Sequence, residues 1–215
     1  MKTSNLIAVS VALAAAAISM PAAAQSKGFE PGFYIGAGLG QSHTSGGNSS
    51  AVVGGTTFTA SGFDGNKTTF QVNGGYQFTE IWGLEVQYTD LGSHSGVIRN
   101  GTTGATFGTQ SISAYQWGIA GTGTYMFDSN WFARGKLGVS SNHIASTNIA
   151  VPGGSVQVGG GSKSDVLAGI GVGYKWNENL STRLEYEYFG EFGTNNGATS
   201  NGSASNIGLR MQYKF

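Results

Sequence analysis

The 215-residue chain contains no cysteine. That excludes a disulfide frame, a thiolate metal site and a Cys nucleophile together. Charge is scarce, with 11 Lys and Arg against 11 Asp and Glu and a formal net charge of zero. A soluble domain usually carries about a quarter charged residues. A nucleic-acid binder normally shows a basic surplus, so no nucleic-acid partner is expected. Proline occurs three times. Beyond the N-terminus no apolar run approaches about 18 residues, so the mature chain has no transmembrane helix to offer. Glycine, in contrast, is abundant at 37 residues, and four Trp, nine Tyr and twelve Phe supply aromatic surface. The glycines follow no Gly-X-Y period, which excludes collagen. Abundant rings at zero net charge argue against disorder.

Lys2, the apolar run Leu6–Ile18 and Pro21-Ala22-Ala23-Ala24-Gln25 read as a secretory signal over 1–24, cleaved after Ala24. The apolar run is too short to span a bilayer comfortably as an anchor. The mature chain is then a single domain, 25–215, with net charge −1 once Lys2 is lost (10 basic against 11 acidic residues).

Period-two alternation marks eight candidate strands near 33–42, 68–78, 82–90, 112–127, 131–145, 164–176, 180–189 and 206–215. Their connections alternate. Thr79-Glu80-Ile81, Asp128-Ser129-Asn130 and Asn177-Glu178-Asn179 are short turns. Long Gly/Ser/Thr/Asn-rich loops fall near 43–67, 91–111, 146–163 and 190–205, with Val151–Val158 suited to a hairpin. An outer-membrane barrel sorts its connections in this way, with short turns at the periplasmic end and long loops outside. A membrane strand needs only about 10 alternating residues. The expected fold is therefore all-β, an eight-stranded antiparallel up-and-down transmembrane β-barrel.

One face of every segment is uncharged, as in Phe33, Ile35, Ala37 and Leu39 or Leu184, Tyr186 and Tyr188. The other holds Glu85, Arg134, Lys136, Asp165, Lys175, Arg183, Glu185, Glu187, Arg210 and Lys214. An eight-stranded interior is just wide enough for side chains, and the rings of the uncharged face exceed that room, so this face is assigned to lipid. Rings such as Tyr76, Trp82, Tyr125, Trp131, Trp176 and Phe215 gather near the short turns and the C-terminus, as an interfacial girdle does. In the lumen, Glu85, Arg134, Arg183 and Arg210 fall in one layer, Lys136 and Glu185 one step above, and Glu187 above that. Gly169, Gly171 and Gly173 are expected to leave room for the guanidinium groups of Arg134 and Arg183, and Gly36, Gly38 and Gly40 for that of Arg210. Six positive groups face four negative ones, so water or phosphate-like anions are expected to complete the balance. Buried charges must be paired.

The segments Gly32-Phe33-Tyr34-Ile35-Gly36-Ala37-Gly38-Leu39-Gly40, Gly83-Leu84-Glu85-Val86-Gln87-Tyr88, Thr182-Arg183-Leu184-Glu185-Tyr186 and Tyr213-Lys214-Phe215 resemble the transmembrane domain of outer membrane protein A and related small Gram-negative barrels. The resemblance covers 25–215. It implies location in the cell outer membrane among lipid and lipopolysaccharide. It also implies that Tyr213 and Phe215 serve as an assembly signal for the barrel-assembly machinery, although Arg210 stands where that signal usually has Gly. No counterpart of the family's periplasmic domain is expected, and the family's lumen lysine on the fourth strand falls at Thr122. A monomer without enzymatic activity, cofactor or bound metal is expected. Two roles follow for the lumen charges. They form a plug in a structural barrel that supports envelope integrity and surface interaction through its loops. Alternatively, partner exchange among Glu85, Arg134 and Arg183 gates a narrow ion or small-solute channel, as the family's residues matching Glu85 and Arg183 imply.

His43, His94 and His143 all fall at loop ends, with Ser42, Ser93 and Ser95 beside the first two and Asp90 near His94. A nucleophilic Ser needs a base in hydrogen-bond reach. This places a lipid A-modifying enzyme as a third and weaker reading. A heparin-binding loop would need a Lys/Arg cluster, and Lys67, Arg99 and Lys163 are scattered. The leader reading makes the first prediction: the intact mass of the membrane-extracted protein corresponds to residues 25–215, and a mass that retains Met1–Ala24 overturns it.

Overall fold

The computed structural model describes residues 29–45, 49–53, 55–61, 65–145, 147–151, 154–158, 161–192 and 202–215. The leader expected over 1–24 lies outside them, as does 193–201 of the last long loop. The described residues form twelve strands: β1 Gly32–Ser45, β2 Ser49–Val53, β3 Thr56–Ser61, β4 Gly65–Gln77, β5 Trp82–Asn100, β6 Thr106–Met126, β7 Trp131–Ile144, β8 Thr147–Val151, β9 Gly154–Val158, β10 Gly161–Lys175, β11 Leu180–Phe192 and β12 Gly202–Lys214. Eight of them close a ring, β1-β4-β5-β6-β7-β10-β11-β12, with every neighbour antiparallel and β12 returning to β1. This is the up-and-down barrel that the alternating connections anticipate.

The three short turns share one device. Thr79 Oγ1 accepts from the N–H groups of Ile81 and Trp82 at 3.2 and 2.9 Å. Asp128 Oδ1 accepts from Asn130 and Trp131 at 2.7 and 2.8 Å, and Asn177 Oδ1 from Asn179 and Leu180 at 3.0 and 2.7 Å. A short polar side chain placed at the turn's start satisfies donors that the ladder cannot. Donation by Trp131 and then by Asn130 holds the exposed Asp128 carboxyl below its ordinary range.

The far end differs from the expected irregular loops. β5 and β6 continue as a ladder to Arg99↔Thr106, so most of 91–111 is strand. β2 and β3 form a hairpin within 43–67, and β3 pairs the upper end of β5. β8 and β9 pair from Thr147↔Val158 to Val151↔Gly154. Segments such as Thr56-Thr57-Phe58-Thr59 and Val97-Ile98 explain this, because β-branched and aromatic residues suit a pleated, half-buried surface wherever a partner strand is available. Phe58 and Ile98 are buried there, at 2% and 1% exposure.

Side chains alternate around the ring as period two requires. Phe33, Leu39, Ile170 and Leu209 point out, while Glu85, Arg183 and Arg210 point in and are buried. The girdle near the short turns is a series of edge-to-face pairs. Phe33–Tyr76, Tyr125–Phe127, Trp131–Tyr174, Tyr174–Trp176 and Tyr213–Phe215 have centroids 4.7 to 5.6 Å apart. A second outward group, Tyr88, Tyr115, Trp117 and His143, stacks across β5, β6 and β7 at the opposite end.

The lumen is narrow enough that some positions accept no side chain. A Cβ at Gly138 would lie 2.0 Å from the Ile119 carbonyl oxygen and 2.5 Å from Ala120 Cα. Both are backbone atoms of the paired strand β6, so neither can give way cheaply. The G138V variant is expected to lose the folded, heat-modifiable gel band that the parent shows after refolding in detergent. Retention of that band contradicts the packing described.

Candidate functional site: the filled lumen

Glu85, from the lower half of β5, is the centre of the lumen. Its Oε2 accepts from Arg134 Nη2 of β7, Arg183 Nη2 of β11 and Asn73 Nδ2 of β4, each at 3.0 Å, and from the Tyr34 hydroxyl of β1 at 3.2 Å. Its Oε1 accepts from Lys136 Nζ at 3.0 Å. Lys136 also pairs with Glu187, and with Glu185 at 3.1 Å. Arg183 Nε donates to Glu185 at 2.9 Å, and Arg210 pairs with Glu187 and, at 3.4 Å, with Glu185. All seven charged groups are at most 5% exposed. Amides complete the shell. Lys136 donates to Gln87 at 2.7 Å, while Arg210 and Arg183 donate to Gln71 and Gln212.

Register places these groups together. Arg183 lies opposite Arg210 on β12 and Gly173 on β10, and Thr122 lies opposite Lys136. Thr122 is buried in the lumen, so a cation stands one strand from the position where the resemblance would place a lysine.

Three sequence expectations change. Lys175 is exposed at the barrel mouth, Lys214 lies 4.3 Å from the Phe29 ring, and Asp165 accepts from the backbone N–H groups of Val166 and Glu191 at 2.7 and 2.8 Å. Removing these from the count leaves four buried cations and three carboxylates. The room above Gly173 is taken by the Phe132 ring, 2.2 Å from where a Cβ would lie. Gly171 faces Glu185, and Gly169 faces Lys136 and Glu187. These glycines therefore accommodate a ring and their acid and lysine neighbours rather than the guanidinium groups of Arg134 and Arg183. On β1, a Cβ at Gly38 would meet Arg210 Cγ at 2.7 Å, which agrees with the expected space for Arg210.

Sequence reasoning missed the outer half of the lumen. Leu91, Leu167 and Phe189, each 0% exposed, join Ala120 and Ala204 in an apolar cluster. Leu91 and Phe189 precede Gly92 and Gly190, whose φ values are +78° and +75°. The ladder shifts register at both places, between Asp90 and Ser93 and between Tyr188 and Glu191. Glycine adopts that left-handed conformation without a Cβ penalty, and such a bulge re-aims the chain. The signal was present in the sequence: an apolar residue on the otherwise polar face, followed at once by Gly. Tyr34 and Phe132 are inward rings of the same unrecognised kind, at 3% and 5% exposure.

Below the charged layer, a cavity of about 780 Å³ opens at the short-turn end. Tyr34, Phe132, Arg134 and Gln212 line its inner part, and Asn177, Glu178 and Lys175 its mouth.

At the loop end, His43 Nδ1 lies 2.8 Å from Asn66 Oδ1, and His143 Nδ1 lies 2.8 Å from Ser162 Oγ. Ser42 points inward and donates to backbone carbonyls, and Ser93 pairs with Ser113. Asp90 accepts from the Gly92 N–H at 2.8 Å. Ser42, Ser93 and Asp90 are thus engaged elsewhere. The side chain of His94 lies outside the described residues. Among the described residues no group of three or more His, Asp or Glu can hold a metal. Tyr213 and Phe215 point outward on the closing strand, where the Phe215 N–H donates to the Phe33 carbonyl at 3.0 Å.

Over residues 10–215 the chain matches the family model described as outer membrane protein beta-barrel domain. Among solved structures it is similar to the outer membrane protein OprG from Pseudomonas aeruginosa, at 14% identity over 86% of this chain and 96% of that one, with a TM-score of 0.56. It is also similar to Ail, the attachment invasion locus protein of Yersinia pestis, solved in complex with the heparin analogue sucrose octasulfate, at 15% identity over 87% and 100% of the chains, TM-score 0.51. Neisserial surface protein A matches at 15% identity over 87% and 100%, TM-score 0.50. At such identities the likeness is one of fold. No curated protein sequence matches the chain.

Because Glu85 pairs with three buried cations, its loss leaves four cations with two carboxylates in a low dielectric. The E85A variant is expected to lose about 3–5 kcal/mol of stability, read as an earlier unfolding midpoint in urea. The partly exposed Lys163–Glu191 pair, 2.6 Å long, is the contrast, since K163A is expected to cost less than about 1 kcal/mol. Equal effects of the two variants contradict the central role of Glu85.

Proposed function

The chain belongs to the outer membrane protein beta-barrel domain family, and from that premise we propose that it is a structural barrel with a closed lumen, serving envelope integrity and surface contact. It resides in the outer membrane as an antiparallel eight-stranded barrel. The observation that carries the proposal is the double filling of the lumen. Glu85 holds Arg134, Lys136 and Arg183 at once, so each has a carboxylate partner without any exchange. Above this layer lies the cluster of Leu91, Leu167 and Phe189. A charged lumen alone attracts water and ions, whereas an apolar constriction resists wetting. Together they support a plug over a path.

The loop end supports the surface role. β5 and β6 rise beyond the ring, β3 extends their sheet, and β2 lies against β9 of the separate hairpin. Described cations there are dispersed, and Lys163 is already paired with Glu191, which favours contacts through polar and ring surface over capture of a polyanion. Lipid and lipopolysaccharide are its surroundings in this reading. Insertion runs through the barrel-assembly machinery by way of Tyr213 and Phe215, and the protein acts as a monomer. A gated channel is the alternative. A lipid A-modifying activity is disfavoured by the engagement of Asp90 with Gly92.

Planar-bilayer recording of the purified protein tests the proposal. No discrete conductance steps are expected from the parent or from E85A, because the apolar layer remains. Steps in the parent that E85A alters establish the gate and overturn the plug.

A further inference from the structure

The seven buried groups of the lumen do not balance. Among the described residues, Arg134, Lys136, Arg183 and Arg210 pair only with Glu85, Glu185 and Glu187. The deficit is not shared evenly. Lys136 meets all three carboxylates. Arg210 meets Glu185 and Glu187, and Arg183 meets Glu85 and Glu185. Arg134 meets Glu85 alone, at the oxygen that Arg183 also uses.

Its hydrogen bonding is correspondingly thin. Of the five N–H donors of a guanidinium, Nη2 supplies Glu85 at 3.0 Å and the Tyr34 hydroxyl at 2.5 Å. Nη1 reaches Gln212 Oε1 only at 3.5 Å, and that oxygen also accepts from Arg183. The Nε–H has no partner among the described residues. An arginine 3% exposed with an idle donor is costly to leave so. Arg134 lines the inner end of the 780 Å³ cavity that opens at the short-turn mouth, beside Phe132, Tyr34 and Gln212. The rim mixes Lys175 and Lys214 with Glu30, Glu80 and Glu178, so the excess positive charge lies at the inner end.

We propose that this vestibule is a binding site for a small oxyanion, a carboxylate or phosphate, that enters from the periplasmic side and docks on the guanidinium of Arg134. A planar fork presents paired N–H groups to such an anion, and the Gln212 amide N–H₂ can donate beside it. The volume falls within the range of ordinary ligand pockets. It admits an anion carrying an organic group, with the Phe132 and Tyr34 rings as apolar wall. The site goes beyond the closed-barrel proposal and is separable from it, since it needs only the periplasmic half of the lumen.

The test uses the full mature protein, ¹⁵N-labelled at arginine and refolded in a zwitterionic detergent. Sodium phosphate and sodium acetate are titrated separately, with sodium chloride at matched ionic strength as the reference. The Arg134 Nε–H resonance, identified by its disappearance in R134K, is expected to shift and saturate with at least one oxyanion. The probe that acts tells phosphate from carboxylate. Q212A keeps every ion pair and is expected to weaken binding about tenfold. If R134K fails to fold, assignment by through-bond correlation and the Q212A comparison carry the test. No saturable shift, or the same shift with chloride, overturns the proposal. Conductance plays no part in the readout, so failure of the closed-lumen reading would leave this result intact.

Discussion

Hydrocarbon offers no water to a backbone N–H or C=O, so a sheet that crosses it can have no open edge. Here the last strand meets the first from Tyr34↔Lys214 to Ser45↔Ser203, and that closure dictates the rest. A closed ring of eight strands has one face toward lipid and one toward a lumen only as wide as its side chains. A charge near the lipid midplane costs roughly 2–4 kcal/mol, so the few charges of this chain are confined to the lumen, the turns and the loops. The low charge content follows from the solvent around the barrel.

Confinement creates a second problem, because side chains buried in the lumen are nearly as far from water as those in a protein core. Glu85 solves most of it by accepting from three cations and a tyrosine. The solution stays short by one negative charge, and the shortfall lies at Arg134. The outer half uses the opposite chemistry. Leu91 and Phe189 reach the lumen at two matching bulges, on β5 and β11, each followed by a glycine in the left-handed region. The lumen therefore changes character along its length, charge pairing toward the short turns and apolar contact toward the loops.

Much of the fold was legible in the chain itself. Alternation within a strand is local, and the turn residues Thr79, Asp128 and Asn177 act on groups two and three positions away. Strand extent at the outer end was underestimated because polar, Gly-rich segments form ladders there once a partner strand is present. Val97 and Ile98 gain theirs from β3, residues distant in sequence. The charged face was legible as a set of residues and illegible as a set of pairs.

Sequence alone determined the barrel, its lipid face and its two unlike ends, because each depends on period two and on nearby turns. Of the ten charges it placed on the inner face, it did not separate the seven buried ones from Asp165, Lys175 and Lys214. Tertiary structure alone decided which charge meets which, since Glu85 finds Arg134 49 positions away and Arg183 98 positions away. It also decided that Gly173 yields its space to Phe132 and that Leu91, Leu167 and Phe189 meet across the lumen. It left one donor of Arg134 unpaired and made that residue part of the vestibule lining. Those outcomes depend on stagger and closure around the whole ring, where one residue of register turns a lumen side chain toward lipid.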